Sequence, residues 1–279
     1  MKVKKQRIDI LLVEQGLAET REKAKRAIMA GLVYANEERL DKPGEKIPED
    51  TVLSVKGKVM PYVSRGGLKL EKALQAFDIE IEGKTMIDVG SSTGGFTDCA
   101  LQKGAAMSYA VDVGYNQLAW KLRQDDRVEV MERTNFRYLT PEDLKRGIPD
   151  FSSIDVSFIS LKIILPVLRT LLKPGSDVIA LVKPQFEAGR DQVGKKGIVR
   201  EASIHREVLH NMIRFALAEG FDVVNGSYSP ITGGDGNIEF LLHLKTSESQ
   251  PGQMNESVQA DAIVEEAHTN FKKAKKENS

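Results

Sequence analysis

A chain of 279 residues, 41% hydrophobic, can bury one substantial core and still carry a small second domain. Its 40 Lys and Arg balance 40 Asp and Glu, so no global field draws it to nucleic acid or membrane and any basic surface must be local. One cysteine, Cys99, excludes an internal disulfide framework, and four scattered histidines give no expectation of a metal site.

The N-terminal lysines are followed by no apolar h-region, and no apolar run reaches the length of a membrane span, so a soluble, cytoplasmic protein is expected. Locally, residues 1–26 hold eight cations, Lys2, Lys4, Lys5, Arg7, Arg21, Lys23, Lys25 and Arg26, against Asp9, Glu14, Glu19 and Glu22. Ile8, Leu11, Leu12 and Leu17 predict a first helix ending near Gly16. Thr20 caps a second, on which Ala24, Ala27, Ile28 and Gly31 follow at helical spacing. Leu32-Val33-Tyr34 before Asn36 reads as strand and turn, and residues 52–55 as another strand. Through Arg21, Ala24, Ile28, Gly31, Val33 and Asn36 this segment resembles the S4 RNA-binding domain, with Asn36-Glu37 standing where that family commonly has Asn-Gly. Arg21, Lys23 and Lys25 lie on the polar side of the second helix, where they can track phosphates. With Lys4, Arg7 and Arg65 they are the residues expected to meet RNA.

The expected boundaries are 1–58 for this small α+β domain, 59–65 for a linker and 66–245 for the larger domain. A helix opens after Ser64-Arg65-Gly66-Gly67, with Leu70, Ala73, Leu74 and Phe77 inward. From Thr85 strands alternate with helices: strands at 85–89, 108–113, 127–132, 151–156, 177–182, 221–228 and 239–244, helices at 96–103, 116–124, 161–172 and 203–219. That alternation predicts an α/β fold, a mainly parallel sheet covered on both faces, with the last two strands antiparallel at one edge. Beyond Thr246 the composition turns to Ser, Gln, Asn, Glu and Lys, so 246–279 is expected to be disordered and the basic run 271–276 to be solvated.

The chemistry begins at Asp88-Val-Gly-Ser-Ser-Thr-Gly-Gly-Phe96, a strand running into a glycine turn and a helix, followed by Asp112 at the end of the next strand. Such a turn lets backbone N–H groups approach a nucleotide-like ligand. Dinucleotide folds place a middle glycine where this chain has Ser92, and Asp88 would oppose a pyrophosphate. A carboxylate there suits the ammonium group of S-adenosylmethionine better. Gly90, Ser91, Ser92, Thr93, Gly94, Gly95 and Phe96 would form the cradle. Asp112 would take the ribose hydroxyls, or only cap the helix around Asn116, and Val113, Asn135 and Phe136 would flank the adenine. Asp155 and Lys183 end two further strands, Glu239 begins a late one, and Lys69 lies on the helix entering the domain. Together they can bind and orient a hydroxyl, whereas each alone would serve as an ion-pair partner.

Tyr62-Val-Ser-Arg-Gly-Gly-Leu-Lys-Leu, Asp88-Val-Gly-Ser-Ser-Thr-Gly-Gly-Phe-Thr-Asp, Asp155-Val-Ser-Phe-Ile-Ser-Leu, Leu181-Val-Lys-Pro-Gln-Phe-Glu and Gly236-Asn-Ile-Glu-Phe-Leu resemble the TlyA family of ribosomal RNA 2′-O-methyltransferases over about residues 6–245. Some members carry Trp where this chain has Tyr62. The resemblance implies an S4 domain joined to an FtsJ-like, Rossmann-like class I methyltransferase domain. It implies a Lys-Asp-Lys-Glu tetrad at Lys69, Asp155, Lys183 and Glu239, and methyl transfer from S-adenosylmethionine to a cytidine ribose of 23S or 16S rRNA in a ribosomal subunit. Phe158 and Phe186 are aromatic candidates for stacking on a base. Two other readings stand beside it: a non-catalytic ribosome-assembly factor, and a membrane-lytic protein, which the lack of a span or lytic helix disfavours.

Overall fold

The computed structural model describes residues 4–57, 60–194, 196–248 and 250–277. The chain divides into two compact units, 1–61 and 62–279, so the first unit takes in part of the segment expected to be a linker. In the first, strand β1 (Lys5–Arg7) leads into helices α1 (Ile8–Glu14) and α2 (Arg21–Met29), followed by β2 (Val33–Ala35), β3 (Glu38–Leu40), β4 (Lys46–Pro48) and β5 (Leu53–Val55). Ile8, Leu11, Leu12, Ala24, Ala27, Ile28, Val33 and Leu53 form its core, and Leu17 stays exposed. Thr20 caps α2 as expected, its hydroxyl accepting from Lys23 N at 3.2 Å. β3-β2-β5 make an antiparallel sheet, and β1 pairs with β4. Asn36 and Glu37 join β2 to β3 with φ of 47° and 73°, the left-handed pair of a type I′ hairpin turn.

The second unit opens with α3 (Gly66–Ala76) and continues β6 (Thr85–Val89), α4 (Gly95–Gln102), β7 (Met107–Val111), α5 (Trp120–Arg123), β8 (Val128–Met131), β9 (Phe151–Ile154), α6 (Leu161–Leu171), β10 (Asp177–Val182), α7 (Pro184–Glu187), α8 (Ala202–Ala218), β11 (Phe221–Tyr228), β12 (Phe240–Thr246) and α9 (Ala260–Glu277). Its seven strands lie in the order β11-β12-β10-β9-β6-β7-β8. β10, β9, β6, β7 and β8 are parallel, and β12 runs antiparallel to both β10 and β11. The sheet is the mainly parallel one the sequence predicts. Successive strand residues serve opposite cores: Met86, Ile179 and Leu241 pack with residues of α3 and α4, while Ile87, Val178 and Leu242 pack with α6, α8 and α9.

Two expectations fail for identifiable reasons. The helix expected over 116–124 shrinks to α5. Asn116 N, Gln117 N and Leu118 N donate instead to the Glu132 carboxylate, at 2.9, 3.0 and 3.3 Å, which holds 114–118 as a loop. The tail expected to be disordered contains α9, which buries Ala260, Ile263, Val264 and Ala267 against α8 and β11. Those four follow the i, i+3, i+4, i+7 spacing of one helix face, and overall polarity hid the stripe. Gly226 makes room for it, since a Cβ there would lie 2.7 Å from Ile263 Cδ1. The side chains of the basic run beyond Ala274 lie outside the described residues.

Candidate active site

The sheet order brings the site together. β9 and β10 end, and antiparallel β12 begins, at one edge; Val182 is registered with Phe240 and Ala180 with Ile154. Asp155, Lys183 and Glu239, each one residue outside its strand, are therefore neighbours by topology. Lys69 reaches them from α3. Its Nζ lies 2.7 Å from Glu239 Oε2 and 3.4 Å from Asp155 Oδ2, while Lys183 Nζ lies 2.5 Å from Asp155 Oδ1. All four expected residues thus form one network, and Lys69, Lys183 and Glu239 are buried.

The two lysines are not equivalent. Burial lowers the Lys69 pKa, but Asp155 and Glu239 outweigh it and hold the group above its ordinary value, a fixed cation. Burial pushes the Glu239 carboxyl up, opposed by Lys69. Lys183 has a single carboxylate, shared with Lys69, and donates its second bond to Ser157 Oγ at 3.1 Å.

The network floors a cavity of about 360 Å³ whose other wall is the glycine turn: Gly90, Ser91, Ser92, Thr93, Gly95 and Phe96. Gly90 adopts φ 84° and packs so closely that a Cβ would sit 2.5 Å from the Asp155 carbonyl oxygen. At Gly95 a Cβ would meet Ser64 Oγ and Gly67 N, so the glycines let the turn and α3 close around the cavity. Gly94 turns away, its vacant Cβ position facing Leu118 and Leu122. Asp112, outside the cavity lining, accepts from Ser92 N and Gly114 N, both at 2.7 Å, and so shapes the turn while its carboxylate retains further lone pairs.

Other expected cofactor residues stand elsewhere. Asp88 is buried below the turn. Thr97 N (3.1 Å) and Thr97 Oγ1 (2.7 Å) donate to one carboxylate oxygen and Ser153 Oγ (2.7 Å) to the other, so it secures the start of α4 instead of facing the cavity. Burial raises its pKa to about 6, against these three hydrogen bonds. Phe136 belongs to the core with Leu139 and Leu144, not to an adenine wall, because the short turn it begins folds inward. Asn135 caps that turn by accepting from Arg137 N at 3.2 Å, and Val113 is 72% exposed, outside the cavity lining.

The cations expected to meet RNA already have partners. Arg7 Nε and Arg21 Nη2 each lie 2.9 Å from the carboxylate of Asp9, a fully buried residue, and Lys4 pairs with Glu49 at 3.0 Å. Lys23 pairs with Glu19, and Lys25 with Glu22 at 2.7 Å. Arg65 lines the cavity and donates to the Thr232 carbonyl at 3.1 Å. Sequence reasoning missed Ser64, Gly66, Ser157, Ile231, Gly233 and Gly234 in the lining. Ser157 had a readable signal, standing two residues beyond Asp155. Gly233 did too, as a glycine shortly before Glu239, where a Cβ would come within 2.6 Å of Glu239 Oε1.

Comparisons with known proteins agree with this architecture. Residues 62–246 match the FtsJ-like methyltransferase family and residues 6–53 the S4 domain. The chain is 68% identical to YqxC of Bacillus subtilis, over 99% of this chain and 98% of that protein. It is 43% identical to the 16S/23S rRNA (cytidine-2′-O)-methyltransferase TlyA of Mycobacterium tuberculosis, covering 86% and 90% of the two chains. A solved structure from Streptococcus thermophilus, titled a hemolysin, superposes with a TM-score of 0.77 at 56% identity, covering 98% of this chain and 99% of that one. Family match, sheet order and tetrad lead to one conclusion: the chain belongs to the FtsJ-like methyltransferases that carry an S4 domain.

Proposed function

We propose that the protein transfers a methyl group from S-adenosylmethionine to a ribose 2′-hydroxyl of ribosomal RNA, at a cytidine of a ribosomal subunit. The observation that carries this reading is the Lys69–Asp155–Lys183–Glu239 network standing across one cavity from the glycine turn. The turn's open backbone, kept free of Cβ atoms at Gly90 and Gly95, and the lone pairs of Asp112 fit the cofactor, which when bound supplies an electrophilic methyl group. Lys183 Nζ, in its neutral form, accepts the hydroxyl proton as the oxygen attacks. Asp155 holds Lys183 in place, Lys69 bridges Asp155 and Glu239 and so fixes both carboxylates, and the buried network excludes water. Most of the acceleration comes from fixing the hydroxyl in line for attack.

Phe158, 92% exposed beside Asp155 with its ring centroid 5.1 Å from that of Phe186, offers a stacking face for a nucleotide turned out of its helix. The N-terminal unit adds phosphate contacts that carry no sequence information. The relative from Mycobacterium tuberculosis, named for cytidine-2′-O-methylation of 16S and 23S rRNA, supports the choice of acceptor.

Incubating purified protein with labelled S-adenosylmethionine and ribosomal subunits tests the reading. Lys183→Ala is expected to abolish ribose methylation while cofactor binding stays within about threefold, because the lysine touches the acceptor side of the cavity. Wild-type turnover by that variant removes Lys183 from the role of base. Cofactor binding with no methylation by the intact protein would favour a non-catalytic assembly factor.

A further inference from the structure

We infer that Ser157 is the positioning residue that aims the Lys183 amine at the acceptor hydroxyl, a role that rests on Lys183 being the proton acceptor proposed above. A lysine amine is a threefold rotor about its Cε–Nζ bond. In the neutral form two positions hold N–H bonds and the third holds the lone pair that must face the substrate. Asp155 Oδ1 at 2.5 Å fixes one N–H, and this contact alone leaves the lone pair two places to occupy. Ser157 Oγ at 3.1 Å takes the second N–H, so a single direction remains for the lone pair.

The amine and its two partners border the cavity. Lys183 is 8% exposed, Lys69 contacts the other Asp155 oxygen, Oδ2, and the Phe186 ring centroid lies 5.9 Å from Nζ. Ser157 and Lys183 both line the cavity, so the unoccupied side of the amine and the serine hydroxyl open onto the same space. Among the described residues Ser157 makes no other side-chain hydrogen bond, so no competing partner draws its hydroxyl away. The geometry follows from the strand end: Asp155 and Ser157 stand two residues apart just past β9, and both reach Lys183 at the end of β10.

The test compares Ser157→Ala, Ser157→Thr and Lys183→Ala in single-turnover methylation of ribosomal subunits, with cofactor binding by calorimetry and thermal melts as folding controls. Loss of one hydrogen bond to the reacting amine is expected to lower the Ser157→Ala rate constant about tenfold, with the KM for RNA and for S-adenosylmethionine changed less than about twofold. Ser157→Thr, which keeps the hydroxyl, should recover the rate to within about twofold. An unchanged Ser157→Ala rate beside an inactive Lys183→Ala overturns the positioning role and leaves Lys183 as base. A raised KM for RNA at unchanged rate makes Ser157 a substrate contact and overturns it too. An active Lys183→Ala removes the base itself, and the inference with it.

Discussion

Asp155 faces two lysines that differ in their acid partners: Lys69 contacts Asp155 and Glu239, Lys183 only Asp155. Lys69 bridges two acids and is 7% exposed, so Lys69→Ala leaves Glu239, itself 2% exposed, without its cation. That variant should lose about 2–4 kcal/mol of stability in urea unfolding, and adding Glu239→Gln should recover part of the loss. No recovery would mean that Lys69 matters through packing. The same logic applies to Asp9, whose carboxyl is held down to about 2 by its hydrogen bonds to Arg7, against burial, with Arg21 adding to the effect. Asp9→Ala should destabilise the first unit by about 1–3 kcal/mol, the lower part of the range for a broken pair because both guanidinium groups can hydrate. The motifs made the tetrad legible in the sequence, since residues one step beyond parallel strands share an edge. They did not show which way a side chain turns at that edge, and Asp88 and Phe136 accordingly proved to lie beneath the turn and in the core.

Elements obey local rules where those rules involve only neighbours. Thr20 at the start of α2 and the turn at Asn36 were readable, whereas the type of that turn was not, because Glu37 holds a φ of 73° that sequence reasoning assigns to glycine. Glu37→Gly should therefore stabilise the first unit by about 1 kcal/mol in thermal or urea unfolding, since Glu37 is exposed and loses only a 3.5 Å surface pair with Lys56. A destabilised variant would rule out strain at this turn.

The joint between α8 and α9 is a second such case. His205 Nδ1 and His268 Nε2 lie 2.9 Å apart and His205 Nε2 reaches the Val199 carbonyl at 3.2 Å, so Nε2 carries a proton, and when His205 is neutral its Nδ1 accepts from His268. Burial, then His268, lowers the His205 pKa to about 4, and His268 is lowered by burial and by Lys272 and Arg206. Between pH 6.5 and 4 the unfolded chain binds a proton at His205 that the native state refuses, so stability falls as the pH drops through that window. Asp88, raised to about 6, works in the opposite sense over part of the same range. Comparing wild type with His205→Gln cancels the Asp88 contribution, and the variant should show the smaller loss of stability between pH 6.5 and 4. Parallel curves would contradict a neutral, buried pair.

At the scale of the whole molecule, a neutral chain divides its work between two units, each with its own core. The sheet of the larger unit was legible because its parallel strands are short, mostly apolar and separated by helices. The C-terminal helix was not, because a stripe of Ala260, Ile263, Val264 and Ala267 is small beside the polar residues around it. The N-terminal cations are engaged with acids, so their contribution to RNA binding should be modest per residue and should weaken with salt. One measurement reaches both the tetrad and the group it acts on. Ribosomal subunits from cells lacking this protein would be incubated with S-adenosylmethionine and either the wild type or Lys183→Ala, and ribose methylation mapped by mass spectrometry. A new 2′-O-methylcytidine is expected with the wild type alone; no new ribose methylation with the wild type, or the same mark with Lys183→Ala, would overturn the proposed function.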